Sequence, residues 1–164
     1  MNRKNYFATA AWFRARPKAL ALLRAANKLL PLVNSLGYLV ILAVLAWQRD
    51  ARLWRALLVP AAVFLGGTVL RAVLNSPRPY EVYGAPPLTP KDRAGRSFPS
   101  RHLFSATVIA VCGFWVLPPL GWVLAVSAVL LAPARVLAGV HFVRDVAAGA
   151  ALGGILGWLG FFVL

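Results

Sequence analysis

Residues Ala134 to Asp145 read Ala-Arg-Val-Leu-Ala-Gly-Val-His-Phe-Val-Arg-Asp and lie between two long apolar runs. The stretch holds one of the two histidines of the chain, His141, and one of its four acids, Asp145. Asp145 follows His141 by four positions. On a helix that offset puts both side chains on one face, where the carboxylate accepts the imidazole proton and fixes the tautomer. Arg135 lies six positions before the histidine. The rest of the chain builds a membrane scaffold around this stretch or brings further cations and the second histidine to it.

The flanking runs approach the roughly 17–25 residues needed to cross a bilayer. The chain of 164 residues is 60% hydrophobic and 13% charged, with a mean hydropathy of +0.71; soluble domains carry about 25% charged residues. The expectation is an all-α integral membrane protein. It is a helical bundle of about five transmembrane helices plus an N-terminal amphipathic interfacial helix, with residues 1–164 as a single membrane-embedded domain. The one cysteine, Cys112, lies inside an apolar run and excludes an internal disulfide. The start lacks the pattern of a removable signal peptide.

The net charge is +14, from 18 Lys+Arg against 4 Asp+Glu. No nucleic-acid-binding motif accompanies it, and most of the chain is lipid-soluble, so no nucleic acid partner is expected. The cations suit anionic lipid headgroups, where each contributes about 1 kcal/mol near the surface, or a phosphorylated substrate.

In residues 1–30, Arg3, Lys4, Arg14, Arg16, Lys18, Arg24 and Lys28 interrupt the apolar pattern too often for a span. From Lys18 the cations and leucines fall on opposite sides of a helix, the pattern of an interfacial amphipathic helix. The first span is expected from Leu30, with Pro31 at its start, to Trp47, and the second from about Leu53 to Leu74. Residues 75–100 form one long polar loop rich in proline, with Lys91, Arg93 and Arg96. Loops of this length usually carry function or are disordered. The third span starts near His102, the fourth runs from about Leu120 and reaches Arg135 if the helix tolerates Pro133, and the fifth starts near His141. Gly149, Gly153 and Gly157 recur at four-residue spacing on the fifth. That is a small-residue packing face, within the bundle or as the seam of a homodimer.

Spans joined in this way alternate direction. The end of the second, the start of the third, the end of the fourth and the start of the fifth therefore share one membrane face. Arg71, Arg78, the Ser100-Arg101-His102 turn, Arg135, and His141 with Asp145 all lie at those four places. Guanidinium forks bind phosphate oxygens in pairs. Ser100 adds a hydroxyl, and the N–H groups opening the third helix add an anion site. His141, oriented by Asp145, has a ring nitrogen free to attack, and His102 can act as general acid. One nucleophile, one acid and an arginine cradle describe phosphoryl transfer through a phosphohistidine. A metal site is disfavoured. A catalytic metal usually wants three protein ligands, Asp50 falls on the opposite face, Glu81 and Asp92 sit in the loop, and the arginines repel a cation.

These residues resemble the type 2 phosphatidic acid phosphatase family, membrane lipid phosphatases related to vanadium haloperoxidases. The family pattern is Lys-x6-Arg-Pro, Pro-Ser-Gly-His and Ser-Arg-x5-His-x3-Asp. Here it reads Arg71-x6-Arg78-Pro79, Pro99-Ser100-Arg101-His102 and Ala134-Arg135-x5-His141-x3-Asp145. The resemblance implies that His141 is the nucleophile, Asp145 its orienting partner and His102 the proton donor to the leaving group. It implies that Arg71, Arg78, Ser100, Arg135 and the backbone N–H of Arg101 hold the phosphate, without metal or other cofactor. It implies a lipid phosphate or diphosphate substrate. Undecaprenyl diphosphate is preferred, and phosphatidylglycerol phosphate or phosphatidic acid is the alternative; a catalytically silent lipid-phosphate-binding protein is the reading from another class. Three positions depart from the pattern. Arg71 replaces lysine, Ala134 replaces serine, and Arg101 replaces glycine and adds a cation suited to a diphosphate headgroup. Family members usually place the site on the outer face of the plasma membrane, which is expected here for a bacterial-type cell, although the cations of residues 1–30 on that face run against the positive-inside rule.

Overall fold

The fold is that of a computed structural model, which describes residues 2–90 and 94–164. The loop cations Lys91 and Arg93, and Asp92 between them, lie outside the described residues, as does Met1. The described chain is helical: α1 Arg3–Arg14, α2 Pro17–Trp47, α3 Arg52–Leu74, α4 Pro79–Tyr83, α5 Arg101–Val116, α6 Pro118–Leu137 and α7 Val143–Trp158, which ends in a π-helical turn, Leu159–Val163.

Among the described residues, four segments are long and apolar enough to cross a membrane: Pro17–Trp47, Arg52–Tyr83, Pro118–Leu137 and Val143–Val163. The chain is a multi-pass membrane protein. The expected third span is α5, whose 16 residues extend only ~24 Å, less than the ~30 Å hydrocarbon core. It can be short because it is wrapped by others. It packs against α2, α3, α6 and α7 and buries Leu103, Phe104, Val108 and Cys112. The outer helices present leucine and valine outward instead: Leu36, Leu58, Leu65, Val69 and Val129 are each more than half exposed. Five tryptophans, Trp47, Trp54, Trp115, Trp122 and Trp158, lie at the ends of their helices away from Arg71, His102, Arg135 and Asp145. Such residues favour the membrane–water boundary.

The N-terminal region differs from expectation. An interfacial helix to residue 30 followed by a span from Pro31 is replaced by a break after Arg14 and one helix of 31 residues through Pro31. The break falls where Pro17 takes the first position of α2, where its missing N–H is not needed. Pro31 does not end the helix, and the hydroxyl of Ser35 donates to its carbonyl at 3.0 Å. The stretch from Lys18 to Lys28 is also packed rather than merely laid on a surface, since Leu23 is buried with Leu88, Ala134 and Ala138.

Later in the chain, α6 does run through Pro133 to carry Arg135 in its last turn. The next helix starts at Val143, not at His141. A turn through Gly139, with φ of 75°, reverses the chain first and leaves His141 in the connection. The Asp145 carboxylate then accepts the N–H of Phe142 at 2.9 Å, satisfying a donor at the start of α7. The glycine stripe of α7 faces α5 of the same chain. A Cβ at Gly149 would strike the Ser100 carbonyl, one at Gly153 the Phe104 carbonyl, and one at Gly157 would crowd Val108 and Val111. That face, a possible homodimer seam on sequence grounds, is filled from within.

Candidate active site

The loop between α3 and α5 is tied down at many points. Its N–H and C=O groups pair across it, with Ser97 N–H donating to Ser76 O at 2.8 Å. Glu81 of α4 accepts the backbone N–H of Arg78 at 2.8 Å and that of Gly95 at 2.9 and 3.0 Å. The segment before α5 is fixed on α7, because Ser100 N–H donates to the Asp145 carbonyl at 2.8 Å. The N-terminal helices reach the same loop: Tyr6 donates to Ala85 O, Arg14 to Pro86 O and Arg24 to Leu88 O.

His141 and Asp145 are brought together, but not as a pair on one helix face. The imidazole Nδ1 lies 3.6 Å from Asp145 Oδ2, beyond good hydrogen-bond length. Ser97 stands at the pair. Its hydroxyl donates to Asp145 Oδ2 at 2.6 Å and its oxygen lies 3.4 Å from His141 Nδ1. A hydroxyl that donates to a carboxylate keeps lone pairs to accept the imidazole N–H. Both His141 and Asp145 are buried, as is Ser97. Burial pushes the His141 imidazole down to about 4; Asp145 opposes that shift, and the nearby Arg135 and Arg78 charges add to it.

Three arginines surround this group, and all three are buried. Arg71, in the last turn of α3, donates to the carbonyls of Ser97 and Pro99. Arg78, at the start of α4, donates to Gly95 O at 2.9 Å and Val140 O at 3.1 Å, beside His141. Arg135 donates to Asn27 Oδ1 at 3.1 Å and lies 3.2 Å from His102 Nδ1. None of the three pairs with a carboxylate among the described residues. Their side-chain partners are neutral carbonyls, an amide and an imidazole. Two further buried groups here, Ser100 Oγ and Arg135 Nε, have no hydrogen-bond partner among the described residues.

Arg101 opens α5 and is exposed. The left-handed backbone that glycine would serve is not used there: among the described non-glycine residues, positive φ occurs at Arg49, Asn75 and Arg96. Arg101 borders two cavities. One, of about 410 Å³, is shared with Arg71, Asn75, Arg78 and Arg96. The other, of about 420 Å³, is shared with Asn34, Phe64, His102 and Ser105. All eight residues expected at the site thus fall in one region, linked by the contacts above or by a shared cavity.

Sequence reasoning missed Ser97, Glu81 and Asn27. Ser97 stands three positions before Ser100 in Arg-Ser-Phe-Pro-Ser, and nothing in its spacing marks it. Asn27 sits inside a cationic amphipathic stretch, where one amide among lysines carries no signal. Glu81 reads in the sequence only as an acid of the loop, yet it closes the loop on Arg78.

A buried group of arginines with only neutral partners among the described residues, beside an oriented imidazole, can bind a tetrahedral anion and present a nitrogen to it. The sequence model of the PAP2 superfamily matches residues 52–163. Among solved structures, the chain is similar to Aquifex aeolicus LpxE, with 26% identity and a TM-score of 0.62 over 86% of this chain and 93% of that one. It is similar also to the first transmembrane PAP2-type phosphatidylglycerolphosphate phosphatase from Bacillus subtilis, with 28% identity and a TM-score of 0.59 over 94% of this chain and 90% of that one. No curated protein matches the sequence.

Proposed function

The chain belongs to the PAP2 superfamily and is a membrane phosphatase, and from that premise we propose that it removes the terminal phosphate of a lipid phosphate or diphosphate through a phosphohistidine, without metal. The observation that carries this reading is the set of three buried guanidiniums, Arg71, Arg78 and Arg135, whose partners among the described residues are all neutral. A buried charge left unpaired is costly, and an anion between these residues removes that cost.

In this reading the three arginines, the Ser100 hydroxyl and the Arg101 N–H hold the terminal phosphate. The Ser97–Asp145 pair keeps the proton on His141 Nδ1, so Nε2 carries the lone pair that attacks phosphorus. The bond from phosphorus to the lipid oxygen breaks as the phosphohistidine bond forms, and His102 gives the leaving oxygen its proton. Water then attacks the phosphohistidine, gives a proton back to His102, and releases orthophosphate. The arginines stabilise the spread charge of the transferring group. The site faces the outer side of a bacterial-type plasma membrane, and residues 1–164 act as one unit.

Undecaprenyl diphosphate is the preferred substrate. Arg101 and Arg96 border the cavity of Arg71 and Arg78, which is more positive charge than one phosphate group calls for. A phosphoglyceride such as phosphatidylglycerol phosphate is the second reading. It is favoured by Asn34 and Ser105, which line the cavity beside His102 and whose Oδ1 and Oγ lack partners among the described residues, so that a hydroxyl or ester could meet them. Phosphate release in detergent with EDTA tests the whole. The expected result is unchanged release with EDTA, with the diphosphate cleaved faster than phosphatidylglycerol phosphate or phosphatidic acid. Release abolished by EDTA contradicts the mechanism, and a faster phosphoglyceride reverses the order of substrates.

A further inference from the structure

We propose that Asn27 of α2 is a positioning residue that aims Arg135 at the phosphate without neutralising it. This rests on the phosphatase reading above. Asn27 is buried, at 9% exposure, and Arg135 at 6%. The Asn27 amide nitrogen donates to Leu23 O and to Ala134 O, both at 2.9 Å. Carbonyls only accept, so these two bonds fix which end of the amide faces which way. Oδ1 is thereby turned to Arg135, whose Nη1 donates to it at 3.1 Å. Asn27 thus grips the backbone of residue 134 and the side chain of residue 135 together, and sets the guanidinium relative to α6.

The choice of side chain has a consequence for charge. An aspartate of the same shape would meet Arg135, but it would cancel the charge that the phosphate needs and could not donate to Leu23 O and Ala134 O. An apolar residue would preserve the charge and leave Nη1 without its bond. An amide does neither. The hold passes further, because Arg135 Nη2 lies 3.2 Å from His102 Nδ1. A guanidinium can only donate, so His102 Nδ1 accepts and its proton is carried on Nε2. Residue 27 lies outside the range 52–163 that the family pattern covers, so this contribution comes from the N-terminal helices.

The test is phosphate affinity in the intact, detergent-solubilised chain, read from the rise in unfolding temperature with inorganic phosphate, together with kcat and KM on the lipid diphosphate. Arg135→Ala serves as the reference for loss. Asn27→Ala is expected to weaken phosphate binding about fivefold, the equivalent of one neutral hydrogen bond. Asn27→Asp is expected to weaken it more than about tenfold, because the new ion pair must be broken, and to raise KM more than it lowers kcat. A role in helix packing alone predicts wild-type phosphate binding in Asn27→Leu, which fills the volume but makes none of the hydrogen bonds to Leu23 O, Ala134 O and Arg135, whereas positioning predicts the alanine variant's loss there. The aspartate variant also keeps the test in force if the alanine variant does not fold. Phosphate binding in both variants within a factor of two of wild type overturns the proposal, as does an aspartate variant that binds no more weakly than alanine, or a wild type that binds no phosphate. A wild type that binds phosphate and cleaves no lipid sinks the catalytic reading instead, and leaves the Asn27 comparison standing.

Discussion

His141 is held neutral by its surroundings. Its ordinary value is near 6.5, and burial lowers it to about 4. An attacking nitrogen needs its lone pair, so in the proposed role His141 is ready across the neutral range. The same shift fixes a dependence of stability on pH. Below about 6.5 the unfolded chain binds the proton, while the folded chain takes it up only near 4. Between those values the unfolded state holds more protons, so stability falls as pH falls. The contribution is complete above pH 6.5, and its loss reaches about 3 kcal/mol at the bottom of the window, at 1.36 kcal/mol per pH unit. Denaturant unfolding in detergent at pH 7 and 4.5 reads this directly. The drop is expected in wild type and reduced in His141→Ala; an equal drop in both contradicts it. His141 was legible as a candidate because the motif keeps its spacing. Ser97 was not, because its partners lie 44 and 48 positions away, and only the folded chain brings them together.

Among the helices, α7 and α5 show what close approach demands. Gly153 lies against the Phe104 backbone and the Thr107 hydroxyl, while its neighbour Gly154 has open space where a Cβ would go. Gly153→Ala therefore overpacks the interface, at about 1–3 kcal/mol. Gly154→Ala gains helix propensity, at about 0.5–1 kcal/mol. Thermal unfolding of the two variants should move in opposite directions, and equal shifts would show that this interface is not tight. The helices that carry the site were legible in the sequence, because apolar runs and their directions alone bring four ends to one face. The boundaries near proline were not. Pro31 reads as a start and lies inside α2, whereas Pro17 marks the true start. The difference is made by tertiary packing of Leu23 and Asn27 on α6, which the local pattern does not contain. The same holds for His141, where an offset of four reads as one helix face although the histidine precedes the helix.

At the scale of the whole molecule, some of the cations that argue for a cytoplasmic site have other work. Arg14 and Arg24 bond the loop carbonyls of Pro86 and Leu88, and Arg71, Arg78 and Arg135 surround His141. Residues used in this way are poor markers of topology, which counts free flanking charges. With the site on the outer face, as proposed, the turn at Asp50, at the opposite end of the bundle, would face the cytoplasm. With Cys112 buried, a cysteine placed at Asp50 should resist an impermeant thiol reagent in intact cells and react after lysis. Labelling in intact cells would reverse the orientation. The central claim is that His141 carries the phosphate in passing, and one measurement reaches it most directly. A lipid phosphate labelled in its terminal phosphate is mixed with enzyme, quenched in alkali within a turnover, and the protein is digested and mapped. The account predicts an acid-labile label on His141, absent from His141→Ala, which releases no phosphate. Phosphate release that persists in His141→Ala, or a label found on another residue, would contradict it.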